Sequence, residues 1–100
     1  MKKLLTDFNK AFESKVRLGI MSVLMVNETV DFNTLKELLN LSDGNLASHI
    51  KSLEELNYIV VSKQFVGKKP NTTYSASKEG SKAFHAHLKS LENLIKSQTR

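Results

Sequence analysis

The hydrophobic period of this chain changes once from helical to extended and then back again, and that alternation limits the folds open to it. Between Asn33 and Asn57 apolar residues recur every three or four positions, as a buried helical face requires, with one interruption after Leu39. The next stretch, YIVVSKQFV, is rich in β-formers, GKKPN supplies turn residues, and TTYSA is β-prone again. Helical spacing returns after Ser77 and runs through Ile95. A chain with this order must pack a β-hairpin among helices.

The remaining segments fill in the order. Phe8, Phe12, Val16, Ile20, Val23 and Leu24 fall at steps of three and four, which predicts one long first helix from about Asp7 to Val26. The Thr29-Val30-Asp31-Phe32 alternation predicts a short strand or extended turn. Asn33 then offers an N-cap for TLKELLN, with Leu35, Leu38 and Leu39 on its buried face. Asn40 tolerates the left-handed backbone that often ends a helix, and Ser42 can cap the next helix. That third helix, about Asp43 to Asn57, carries Leu46, Ile50, Leu53 and Leu56 on one side. Ser77 can cap the last helix, with Glu79 in its favoured first turn. The predicted fold is mainly α with a small β-hairpin: helix, short strand, helix, turn, helix, hairpin, helix. A helix-turn-helix joined to a two-stranded hairpin is a winged helix.

Composition narrows the function. At 100 residues and 40% hydrophobic content, residues 1–100 have room for one domain and one core. Fifteen Lys and Arg against ten Asp and Glu give a net charge of +5, which favours a polyanionic partner, nucleic acid first. The absence of Cys excludes disulfides, thiolate metal sites and thiol nucleophiles, and suits a cytoplasmic protein. MKKLLTDF has basic residues but no apolar run of signal-peptide length. Leu18 to Val26, the longest nearly apolar run, spans roughly 14 Å as a helix against a bilayer core of about 30 Å. No membrane association is expected.

Projected at 100° per residue, the apolar side of the third helix occupies an arc of about 120°. The opposite face presents Gly44, Asn45, Ser48, Lys51, Ser52 and Glu55. Such a face is slim enough for the major groove of DNA, and Asn, Ser and Lys supply hydrogen bonds to base edges and phosphates. Gly44 lets the backbone come near, and the helix N-terminus adds partial positive charge. Taken alone, the same residues also describe an ordinary solvated face. Gly67-Lys68-Lys69-Pro70-Asn71 shifts the balance, because a structural turn needs Gly or Asn but no cations. Lys63, on the preceding strand, extends the cationic strip. His49 lies at the edge of the apolar arc, where it either reaches a phosphate or shields Leu53.

The stretch from Val16 to Gly80, in particular VDFNTLKELLNLSDGNLASHIKSLEELNYI and then KQFVGKKPNTTYSASKEG, resembles the winged-helix domain of small MarR/ArsR-like transcriptional regulators. The resemblance covers about two thirds of the chain closely and the flanking helices more loosely. It implies a homodimer, joined through its terminal helices, that binds a roughly palindromic double-stranded DNA operator with two recognition helices and two wings. By that analogy Ser42, Asn45, Ser48, His49 and Lys51 map onto the recognition helix, and Lys68 and Lys69 onto the wing. Metal-sensing relatives carry Cys or His/Asp clusters that this chain lacks.

Phe84, Leu88, Leu91 and Ile95 form a coiled-coil-like seam on the last helix. It packs either on a second subunit, together with Leu4, Leu5 and Phe8, or back on the first helix. His85 and His87 point to nearly opposite sides of a helix and make a poor metal pair. No phosphate loop, nucleophile elbow or paired-acid arrangement points to an enzyme, and no cofactor is expected. An organic effector between the first and last helices is compatible with the pattern, with no residue to identify it. The rival reading is a winged helix used as a protein-interaction module. RNA binding ranks third, since Tyr58, Phe65 and Tyr74 are assigned to hairpin and core packing, not to base stacking.

Overall fold

The computed structural model describes residue 5 and residues 7–98. A 3-10 turn, Lys10–Glu13, leads into α1 (Lys15–Met25), β1 (Val30–Asp31), α2 (Phe32–Leu39), α3 (Asp43–Glu55), β2 (Ile59–Val66), β3 (Lys69–Ala76) and α4 (Lys78–Lys96). The expected order is therefore present, with β1 added to the hairpin as the outer strand of a three-stranded antiparallel sheet, order β1-β3-β2. Val30 pairs with Tyr74 and Asp31 with Thr73.

The first helix is shorter than its apolar period predicts. Asn9 and Ser14 both hold extended backbone, and each caps the element after it: Ala11 N–H donates to Asn9 Oδ1 at 2.9 Å, and Arg17 N–H to Ser14 Oγ at 3.3 Å. The intervening 3-10 turn keeps Phe12 on the buried side, so the pattern runs through a break that the capping side chains create. Asp31, not Asn33, caps α2, accepting from Thr34 N–H at 2.8 Å. That backbone hydrogen bond holds the Asp31 carboxyl below the usual carboxylate range. Leu35 is fully buried and Leu39 partly, but Leu38 is exposed, because α2 buries one narrow stripe.

Two asparagines end the helices of the central motif in the same way. Asn40 (φ 54°) and Asn57 (φ 62°) adopt left-handed backbone. Beyond them, Leu41 N–H donates to Lys36 O at 3.1 Å and Tyr58 N–H to Leu53 O at 3.0 Å. Each bond satisfies a carbonyl that the helix end leaves open. The second turn comes before Leu56 completes its stripe, and that side chain is exposed where the period predicted burial.

Ser42 caps α3 and Ser77 caps α4, as expected. The hairpin turn is tighter than the composition of GKKPN suggests. Val66 pairs with Lys69, leaving Gly67 and Lys68 as the turn, and Lys69, Pro70 and Asn71 belong to β3. Gly67 has φ +66°, the conformation that a two-residue hairpin turn demands at its first position. Pro70 is tolerated because β1 reaches β3 only at Thr73 and Tyr74, so its other side has no strand to bond.

One core joins all the elements. Phe12, Ile20, Met21, Leu24, Leu35, Leu46, Ile50, Leu53, Ile59, Tyr74 and Phe84 are buried in it. Phe84 is thus a core residue rather than a free part of the α4 seam: its ring meets Phe12 edge-on at 5.6 Å. Phe8 is half-buried against His87, with centroids 5.2 Å apart. Leu88, Leu91, Ile95 and Leu5 stay exposed, and Leu4 lies outside the described residues.

Candidate nucleic-acid interface

The core stripe of α3 fixes what the helix shows to solvent. Leu46, Ile50 and Leu53 face inward, and Gly44, Asn45, Ser48, Lys51 and Glu55 are exposed. Ser42 is exposed too, but its Oγ is occupied as the cap, accepting from Asn45 N–H at 3.2 Å. Asp43, in the first turn, is held by Lys36 at 2.9 Å, so α2 neutralises the acid nearest the N-terminus of α3. Ser52 is half-buried and donates to Ser48 O at 3.3 Å, which leaves it less available than its neighbours.

His49 turns toward α1. Arg17 Nη1 donates to its Nδ1 at 3.1 Å, while Arg17 Nε donates to Ala11 O at 2.7 Å. Arginine only donates, so Nδ1 is the acceptor and the ring is neutral, with its hydrogen on Nε2. Burial, and then repulsion from Arg17, push the His49 pKa below the usual histidine range. An unfolded chain protonates this ring near pH 6.5, and the folded one only at lower pH. The contribution to stability is therefore intact above about pH 6.5 and declines as pH falls through the folded pKa. An NMR titration is expected to place His49 below the free-imidazole value, and Arg17→Met is expected to raise it. A pKa unmoved by that substitution would contradict the contact. Arg17 was not a sequence candidate; the signal was a lone cation inside an apolar helical run.

The wing meets α3 across a groove of about 490 Å³ whose lining includes Ala47, Lys51 and Glu54 of α3 and Val61, Lys63 and Thr72 of the hairpin. Lys51 and Lys63, distant in sequence, thus flank one concavity. The hairpin from Ile59 to Ala76 carries Lys63, Lys68 and Lys69 and no Asp or Glu. Lys68 occupies the turn and Lys69 the first position of β3, all three lysines being exposed. Phe65 departs from expectation: it is 73% exposed and packs in no core. Tyr74 is buried, and Tyr58 is half-buried, stacked on Phe12 at 5.7 Å.

A second groove, about 740 Å³, lies between the N-terminal segment and α3 and is lined by Asn9, Glu13, Arg17, Ser52, Glu55 and Leu56 among others. His87 Nδ1 accepts from Asn9 N–H at 3.2 Å, and His85 Nδ1 lies 2.9 Å from Ser81 O, so the two rings serve separate local contacts. Among the described residues, no three His, Asp or Glu side chains converge as a metal site would require, and no helix is long and apolar enough to cross a membrane.

Comparison with known proteins agrees with this geometry. The family model described as a winged helix DNA-binding domain matches residues 16–95. An uncharacterized protein of Methanocaldococcus jannaschii is 37% identical over 87 residues, covering 87% of this chain and 95% of that one. The structure of a transcriptional regulator homologue from Pyrococcus horikoshii OT3 superposes with a TM-score of 0.88 at 28% identity, over 100% of both chains. YusO from Bacillus subtilis shares the fold, with a TM-score of 0.78 at 14% identity over 96% of this chain and 70% of that one. With its helix-turn-helix, its lysine-bearing hairpin and the match over residues 16–95, the chain belongs to the winged helix DNA-binding domain family.

Proposed function

We propose that the protein is a homodimeric transcriptional regulator that binds double-stranded DNA sequence-specifically in the cytoplasm. The observation that carries this reading is the groove between α3 and the acid-free hairpin, with Lys51 and Glu54 on one wall and Lys63 on the other, beside the exposed polar face of α3. α3 enters the major groove, where Asn45 and Ser48 reach base edges, and Gly44 permits close approach. Lys51, Lys63, Lys68 and Lys69 neutralise phosphates. His49 offers its Nε2–H from the α1 side, and Ser42 and Ser52 flank the contact. Leu88, Leu91 and Ile95, with Leu5 and the free side of Phe8, join two copies, so that two α3 helices sit about 34 Å apart.

The division of labour is testable. Lys68→Ala/Lys69→Ala is expected to weaken binding to any sequence and to lower the salt slope of the dimer by about 3.6, four lysines at roughly 0.9 per phosphate contact. Asn45→Ala or Ser48→Ala is expected to cost about 1–3 kcal/mol of discrimination between operator and random DNA, with the slope retained. Fluorescence anisotropy on both duplexes across a salt series separates the two effects. Equal losses on both duplexes for every variant would overturn the assignment. The exposed apolar stripe of α4 gives a protein-interaction module its one supporting observation, and such an interface would be nearly indifferent to salt.

A further inference from the structure

Strand register puts Ile59, Val61, Lys63 and Phe65 on one face of the hairpin, opposite Ala76, Tyr74, Thr72 and Pro70. Near the body this face is core: Ile59 is 5% exposed and Tyr74 7%. It then runs out past α3, and exposure rises to 73% at Phe65, whose cross-strand partner is Pro70. An aromatic ring and a proline therefore project beyond the core on the side that carries Lys63 and the groove against α3. Lys68 and Lys69 come next at the tip, and the hairpin bears no acid. Among the described residues, the core does not include this ring.

We infer that Phe65 is a DNA-contacting residue of the wing, its ring packing against the deoxyribose walls of the minor groove while Lys63, Lys68 and Lys69 meet the bordering phosphates. This rests on the DNA-binding reading above. Charge complementarity selects the occupant: an apolar ring set between cations fits a groove whose walls are sugar C–H groups and whose rims are phosphates. A hydrophobic contact of this kind releases no counterions, so its signature differs from that of a lysine.

The test is DNA binding by Phe65→Ala and Phe65→Leu, measured by anisotropy over a salt series, with melting temperature and solution mass recorded for each variant. Phe65→Ala is expected to bind about thirtyfold more weakly per wing at every salt concentration, with the slope, melting temperature and mass of the parent protein, since burying a phenyl group is worth about 2 kcal/mol. Phe65→Leu is expected to recover most of the loss. Binding by Phe65→Ala equal to that of the parent would overturn the inference while leaving DNA binding standing. A change of mass would overturn it in favour of a protein contact. Failure of the parent to bind DNA at all would defeat the underlying reading first, a result distinct from either.

Discussion

Gly80→Ala is expected to destabilise the fold by about 3 kcal/mol or more, among the largest effects of any single added methyl in this chain. A Cβ at this position would lie 2.0 Å from Tyr58 O, 2.8 Å from Tyr58 C and 2.9 Å from Tyr58 Cα. All three are backbone atoms, which cannot rotate away as a side chain would. The approach is fixed from both sides. Gly80 N–H donates to Ser77 Oγ at 2.9 Å, Ser77 Oγ donates to Asn57 O at 2.6 Å, and Ser77 N–H donates to Tyr58 O at 3.0 Å. The start of α4 is thereby clamped to the corner where α3 turns into β2. Gly44 is the control, since a Cβ there meets nothing within 4 Å and the helix gains roughly 0.5–1 kcal/mol from losing a glycine. In thermal melts each kcal/mol moves the midpoint about 4–8 °C, so the two alanine variants should fall on opposite sides of the parent. Equal midpoints would contradict the clamp.

Phe12→Ala is expected to cost about 3–5 kcal/mol, the range for a buried phenylalanine reduced to alanine. Phe12 is 3% exposed and is a meeting point of three pieces of the fold. Its ring stacks on Tyr58 at 5.7 Å and meets Phe84 at 5.6 Å and His87 at 5.3 Å edge-on. Asn9 tightens the same junction, its N–H donating to His87 Nδ1 and its Nδ2 to the Tyr58 hydroxyl at 3.0 Å. The loss therefore falls on the contact between the N-terminal turn, the α3–β2 corner and α4. Urea denaturation of Phe12→Ala against Phe12→Leu checks this, the leucine variant retaining most of the stability. A loss under about 1 kcal/mol for alanine would mean that the N-terminal turn contributes little to the core.

The order of elements was legible because it depends on short-range signals. Ser42 and Ser77 are caps at the predicted places, and Asn40 is left-handed as its position implied. The misreadings share a physical cause: periodicity reports which residues want burial, not where a chain stops or what buries them. Phe8, Phe12 and Val16 keep helical spacing across the breaks at Asn9 and Ser14, so the pattern could not reveal two capped pieces. Phe84 and Leu91 look alike in an apolar seam, and only the position of Phe12 makes the first a core residue while the second stays exposed. Lys69, Pro70 and Asn71 have the composition of a loop, yet the pairing of Val66 with Lys69 draws them into a strand and sends Phe65 out into solvent. The polar face of α3 was implied directly by its apolar one. The Arg17–His49 contact was not, because it joins residues on two helices whose approach no local pattern encodes.

The most direct test of the central claim is a titration of the purified protein into a random 30-base-pair duplex at two salt concentrations, with solution mass recorded in the same run. Binding by a dimer is expected, weakening by orders of magnitude from low to physiological salt, as release of counterions from several phosphates requires. Absence of binding even at low salt would contradict it.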